Sequence, residues 1–193
     1  LDIGCGEGHN TRLLAGRGRY VDDLSLPREL HAVFVRSPHA HARIVSINLA
    51  EARKSRGVFW CGTGLDVARV VSPWVGILTH LKGMKSAPQC AVAVERATWQ
   101  GEAVAVVVAQ TRAQAEDAAQ LIEVDYETLA AVTNMETALD PSTPVIHSAL
   151  GDNLAFTQTI DTGKVAEAFA GAHLTVEDTF RFGRHTGVCL EPR

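Results

Sequence analysis

GEAVAVVVAQTRAQAEDAAQLIEVDYET, residues 101–128, carries three periodicities in succession and decides the fold class. Glu102 to Gln110 is almost entirely Ala and Val, so it reads as a buried strand. Thr111 then stands three residues before Gln114, a capping-box pattern that opens a helix. The apolar positions of that helix, Ala115, Ala118, Ala119 and Ile122, recur at spacings of three and four. They form one narrow face of mostly small side chains that can lie closely on a sheet. From Glu123 to Thr128 the period becomes two, with Glu123, Asp125 and Glu127 on one side and Val124, Tyr126 and Thr128 on the other, as in a strand with one wet face.

Upstream, Leu30 to Arg36 and Arg43 to Leu49 are rich in Val, Ile and Phe and are split by Ser37-Pro38, which predicts two strands around a turn. A short helix over Ala50 to Ser55 is ended by Gly57, and Val58 to Cys61 returns to strand before a Gly62-Thr63-Gly64 turn. Between residues 64 and 88, Ser72-Pro73, Gly76, Gly83 and Ala87-Pro88 interrupt every periodicity, predicting a long surface excursion with at most short helices. Its apolar Trp74, Ile77 and Leu81 suggest a subunit contact, because such residues on a long loop usually need a partner surface. Downstream, Asp140-Pro141 and Thr143-Pro144 read as a boundary, with Val145-Ile146-His147 briefly extended after it. A strand-like Leu154 to Ile160 follows, then a helix over Lys164 to Ala170 with Val165, Ala168 and Phe169 on one face and Gly171 as its stop, then an extended Leu174 to Phe182. Strands alternating with short helices predict an α+β (mixed α/β) class, with short helices on a mixed sheet and the start of a second domain.

The 193 residues, 46% hydrophobic and 21% charged, suffice for one ordinary globular domain or one and a half small ones. A formal net charge of -4 argues against a nucleic-acid or anionic-membrane partner, which calls for clustered Lys and Arg. The longest apolar run, Ala103 to Ala109, falls far short of the roughly 20 residues of a transmembrane helix, so no membrane span is expected. Asp2 and Glu7 at the front, with no positive region, do not resemble a secretory signal, and a cytoplasmic location is the default. Cys5, Cys61, Cys90 and Cys189 form no C-x-x-C pair and read as ordinary thiols.

Candidate chemistry is sparse. Leu1 to Gly8, LDIGCGEG, matches the first motif of Rossmann-like S-adenosylmethionine-dependent methyltransferases, in which Asp2 ends a strand and Gly4, Gly6 and Gly8 let the backbone approach the cofactor. Against it, the preceding strand is three residues long and the following helix meets Gly16 and Gly18 within two turns. Asp22 and Asp23 lie where a ribose-binding acid is expected, yet only Tyr20 and Val21 form the body of a second strand. His39 and His41 suggest metal ligands, but no third ligand is evident beside Pro38 and a structural role is favoured. The Glu123, Asp125 and Glu127 row reads as a solvated face rather than an acid-base site. Arg184-His185 and Glu191-Pro192-Arg193 fit a salt-bridged domain junction better than catalysis. There is no G-x-S-x-G elbow.

From Gly16-Arg17-Gly18-Arg19-Tyr20-Val21-Asp22-Asp23 onward the chain resembles the large, molybdopterin-binding subunits of the xanthine dehydrogenase, aldehyde oxidase and carbon monoxide dehydrogenase family. Ser37-Pro38-His39-Ala40-His41-Ala42-Arg43-Ile44 is similar to that family's hammerhead strand-turn-strand. Gly101-Glu102-Ala103-Val104-Ala105-Val106-Val107 is similar to its central G-E-P-V-A-V-V strand, with Ala103 in place of the usual Pro, and Ala113 to Tyr126 resembles the helix and strand that follow. Phe180-Arg181-Phe182-Gly183-Arg184-His185-Thr186-Gly187 with Glu191-Pro192-Arg193 resembles the entry into the first molybdopterin-binding domain. Roughly nine-tenths of the chain is covered in order, which discriminates more than any single motif.

The resemblance implies an unassigned segment at 1–15, an α/β hammerhead domain at 16–150 and the beginning of the first molybdopterin-binding domain at 151–193. It implies an oxidoreductase subunit whose complete form holds a molybdenum-pterin cofactor and oxidises carbon monoxide, an aldehyde or a heterocycle. Its implied partners are a flavin (FAD) medium subunit and a [2Fe-2S] small subunit, in an oligomer of heterotrimers. The family's pterin-binding glycine loop and catalytic glutamate lie downstream of the matched stretch. The resemblance therefore carries over no catalytic, cofactor-binding or metal residue, and the fragment is expected to be inactive alone. The alternatives are a methyltransferase fragment and a non-enzymatic interaction module.

Overall fold

A computed structural model of the chain describes residues 26–76, 78 and 80–183. The LDIGCGEG stretch, Gly16 to Asp23, Ile77, Arg184-His185, Glu191 to Arg193, Cys5 and Cys189 lie outside the described residues. Two compact units are present, Arg28–Thr159 and a second made of Leu1–Pro27 with Ile160–Arg193.

In the larger unit the elements run β1 (His31–Arg36), β2 (Ala42–Asn48), α1 (Ala50–Lys54), β3 (Val58–Thr63), α2 (Gly64–Val67), β4 (Arg96–Ala97), β5 (Ala103–Ala109), α3 (Arg112–Ala119) and β6 (Glu123–Thr128), then a 3-10 turn at Ser148–Leu150. The valine run is β5, the middle strand of a sheet ordered β1-β5-β3. Both neighbours run antiparallel to it, His31 facing Ala109 on one side and Thr63 facing Ala105 on the other. Burial on both faces explains why the strand lacks polar alternation: Val104 and Val107 point opposite ways and both are fully buried.

α3 lies on one face of this sheet. Thr111 caps it, its hydroxyl accepting from the Gln114 N–H at 3.2 Å. Ala115 and Ala118 are fully buried beneath it and join Leu49, Ala52, Cys61, Ala105, Val107, Ala109 and Ile122 in one core. Small residues on both sides let helix and sheet approach closely, so little volume is left to relax into.

The second sheet is ordered β4-β2-β6 and is also antiparallel. The expected mixed sheet is therefore corrected to two antiparallel sheets. α3 leads from β5 in one sheet to β6 in the other, so it does not serve as the crossover that a parallel pair requires. The two strands around Ser37-Pro38 likewise part into different sheets. Arg43, Ser46 and Asn48 share one face of β2 although the first two are an odd number apart, because a bulge between Ile44 and Ser46 resets the alternation at exposed Val45.

The excursion expected over residues 64–88 runs on to 95, with one helical turn and a single Trp74–Gln89 bridge among the described residues. The anticipated Gly62-Thr63-Gly64 turn is instead the end of β3 and the first residue of α2. There Asp66 closes a capping box on Thr63. A Cβ at Gly64 would run into the Ala93 carbonyl, so only glycine lets the 92–93 segment lie so close. The stretches expected to be extended at Val145 to His147 and Leu154 to Ile160 join no sheet, since no strand edge meets them.

In the smaller unit α4 (Val165–Ala170) ends at Gly171, and Leu174 to Phe182 pairs with no described strand. The helical face of Val165, Ala168 and Phe169 is exposed. No described helix is long and apolar enough to cross a membrane.

Candidate functional site

A cleft of about 540 Å³ lies at the Arg36 end of the β1-β5-β3 sheet in the larger unit. Its floor is Phe34, Arg36 and Ala103, one wall is the 88–96 segment, and the other is the Thr98–Glu102 turn with His147 at the rim. The turn is built by local chemistry. Gly101 takes φ +93°, and Glu102 returns its carboxylate to accept from the Thr98 N–H at 2.6 Å and the Thr98 hydroxyl at 3.1 Å. Ser37 ties it to β1: its N–H donates to the Glu102 carbonyl and its carbonyl accepts from the Gly101 N–H, both at 2.8 Å. Arg36 donates through Nη1 to the Gly101 carbonyl at 2.8 Å and lies 5.9 Å from the Phe34 ring centre, so its guanidinium is held at the cleft floor.

His39 and His41 are engaged separately. His39 stands edge-on to Tyr126 with ring centres 5.0 Å apart. His41 is buried and donates from Nδ1 to the Ala130 carbonyl at 2.8 Å, which fixes its tautomer and pins the chain leaving β6. Burial raises the Tyr126 phenol above the ordinary value, against a smaller opposing effect of the neighbouring Ser37 hydroxyl.

The acidic row is spent on the neighbouring strand. Glu127 pairs with Arg43, whose Nε donates at 2.7 Å; Asp125 accepts from the Ser46 hydroxyl at 2.6 Å and Glu123 from Asn48 Nδ2 at 3.2 Å. All three acids are exposed, which is the solvated face the alternation predicts. Cys61 is a core thiol pushed up in pKa by burial, and Cys90 borders the cleft as a free thiol. Of the excursion's apolar side chains, Trp74 is exposed and Leu81 half-buried.

Among the described residues no three His, Cys, Asp or Glu side chains converge, so these residues offer no donor set that fits a metal. The cleft that Arg36, Arg96, Thr98 and Glu102 share is scarcely marked in the sequence, because β1 and the 96–102 stretch meet only in the fold. The Gly101-Glu102 pair before the valine run was the one local sign, and it was read only as the start of a strand.

The family described as "Aldehyde oxidase and xanthine dehydrogenase, a/b hammerhead domain" matches residues 15–130. The nicotine 6-hydroxylase large subunit of Paenarthrobacter nicotinovorans is 33% identical over 189 residues, which is 95% of this chain and 22% of that protein. The carbon monoxide dehydrogenase large chain of Afipia carboxidovorans is 37% identical over 145 residues, 75% of this chain and 17% of that one. Among solved structures, quinoline 2-oxidoreductase from Pseudomonas putida 86 aligns with a TM-score of 0.70 at 45% identity, covering 77% of this chain and 19% of that chain. The chain thus spans about a fifth of the length of these relatives. It belongs to the aldehyde oxidase and xanthine dehydrogenase family, as the α/β hammerhead domain found in the molybdopterin-binding large subunits of molybdenum hydroxylases.

Proposed function

We propose that this chain is the hammerhead portion of a molybdenum-hydroxylase large subunit, with residues 16–150 as the hammerhead domain and 151–193 as the beginning of the first molybdopterin-binding domain. The whole subunit is a molybdenum-dependent oxidoreductase acting on carbon monoxide, an aldehyde or a heterocycle, in the cytoplasm. The molybdenum-pterin group is held elsewhere in that subunit, and FAD and [2Fe-2S] groups sit on medium and small partner subunits. The observation that carries this reading is the in-order match of residues 15–130 to the hammerhead family.

The same reading extends toward the front of the chain. A match over 95% of 193 residues leaves at most about ten outside it, fewer than the fifteen of residues 1–15, so part of that stretch aligns with the relative. This favours the hydroxylase over the methyltransferase alternative.

In this assignment the domain's own contribution is mechanical. The tightly packed β5–α3 core is a rigid platform, and the clamped Thr98–Glu102 turn presents a defined surface to whatever packs on it. Sequencing the DNA on both sides of this segment tests the assignment. We expect an open frame continuing past Arg193 into a glycine-rich pterin-binding region, with neighbouring frames for flavin and iron-sulfur subunits. A frame that instead completes a methyltransferase around residues 1–15 would overturn it.

A further inference from the structure

We propose that the cleft between β1 and the Thr98–Glu102 turn is a docking site for a carboxylate-bearing segment of a partner polypeptide, held by Arg36 and Arg96. Arg96 is the telling residue. In the β4–β2 pair it stands directly opposite Arg43, and Arg43 spends its charge on Glu127 across the other side of the sheet. Like charges set opposite each other on an antiparallel pair weaken the sheet. The fold gains nothing electrostatically from this arrangement, and among the described residues no carboxylate pairs with either Arg96 or Arg36.

The remaining cleft chemistry fits a protein partner rather than a free metabolite. The two acids in the cleft differ in availability: Glu102 is engaged by both donors of Thr98, while Glu95 is exposed and carries no cation. Arg36 is already fixed by its bond to the Gly101 carbonyl and by the Phe34 ring, so little side-chain entropy remains to be lost on binding. Phe34 and Trp99 line the same cleft at 44% and 54% exposure. Arginine beside exposed aromatic rings is the composition of protein interface hot spots. An arriving Asp or Glu side chain offers Arg96 the bidentate partner that the fold withholds.

The test titrates a capped Gly-Glu-Leu-Glu-Gly peptide, and its Gly-Gln-Leu-Gln-Gly counterpart, into the full 193-residue chain, following heat and the Trp99 indole resonance. We expect the acidic peptide to bind at least about tenfold more tightly than the amide one, with an affinity that falls as salt rises. Arg96→Gln is expected to weaken it by about tenfold, and Glu95→Gln to strengthen it by about twofold. The Arg96→Gln chain is expected to melt no lower than the parent, since the variant relieves the repulsion with Arg43. Equal binding of both peptides, no binding of the acidic one at about a millimolar, unchanged affinity in Arg96→Gln, or unfolding of that variant would each overturn the proposal. None of these outcomes bears on the family assignment, which rests on the sequence match.

Discussion

The two sheets of the larger unit are similar in size and opposite in what holds them. In β1-β5-β3 the middle strand is buried on both faces, and buried Ala, Val and Cys fill the space under α3. β4-β2-β6 presents one face to water, where its strands are joined by Arg43–Glu127, Ser46–Asp125 and Asn48–Glu123 pairs. Burial removes apolar surface from water and cannot be replaced locally, whereas an exposed pair competes with solvent for every bond it makes. The first sheet is therefore the stability of the unit, and the second is its adjustable surface.

The largest effect that would break this contrast lies at the centre of the core. Val107→Ala removes two methyl groups from a fully buried site flanked by other small residues, and a loss of about 2–3 kcal/mol in denaturant unfolding is expected. A value as small as that of a surface substitution would show that the core collapses around the gap. Gly64→Ala comes next, because the new Cβ meets the Ala93 carbonyl and backbone has to move; a destabilisation of about 1–3 kcal/mol is expected in the same measurement.

Asp66 is an intermediate case, a polar group at the edge of the packed sheet. The Thr63 N–H and hydroxyl hold its carboxylate below the ordinary value, so it binds its proton less readily in the folded chain than in the unfolded one. Its contribution is present above the ordinary carboxylate pKa and is lost as pH falls through the depressed one. Asp66→Ala should cost about 1 kcal/mol at neutral pH, and the difference between variant and parent should shrink in acid melts. The smallest effect belongs to the wet sheet. A double-mutant cycle on Arg43 and Glu127 is expected to give about 0.5 kcal/mol of coupling, falling with salt. Coupling above that of a typical exposed pair would mean that the second sheet is held as firmly as the first.

What could be read from the sequence follows the same division. β5, α3 and β6 were legible because each has a local period, and the wet face of Glu123, Asp125 and Glu127 followed from alternation alone. Their partners on β2 were not legible, because the bulge at Val45 changes which residues share a face without leaving a local mark. Nor does any periodicity tell that the strands on either side of Ser37-Pro38 enter different sheets, since pairing is decided by contacts far apart in the chain. The cleft was hidden for the same reason: Arg36, Arg96 and His147 lie on three segments far apart in the chain and converge only in the fold. Val145 to His147 and Leu154 to Ile160 show the converse, β-forming sequence without a strand edge to join.

The central claim is that these residues form a structural and docking part of a molybdenum hydroxylase whose chemistry lies elsewhere in the subunit. The most direct test is the molybdenum and pterin content of the purified 193-residue chain, produced in a host that makes the cofactor. The account predicts that neither co-purifies in stoichiometric amount and that no hydroxylase turnover is detected. Molybdenum bound in proportion to protein, with turnover, would contradict it.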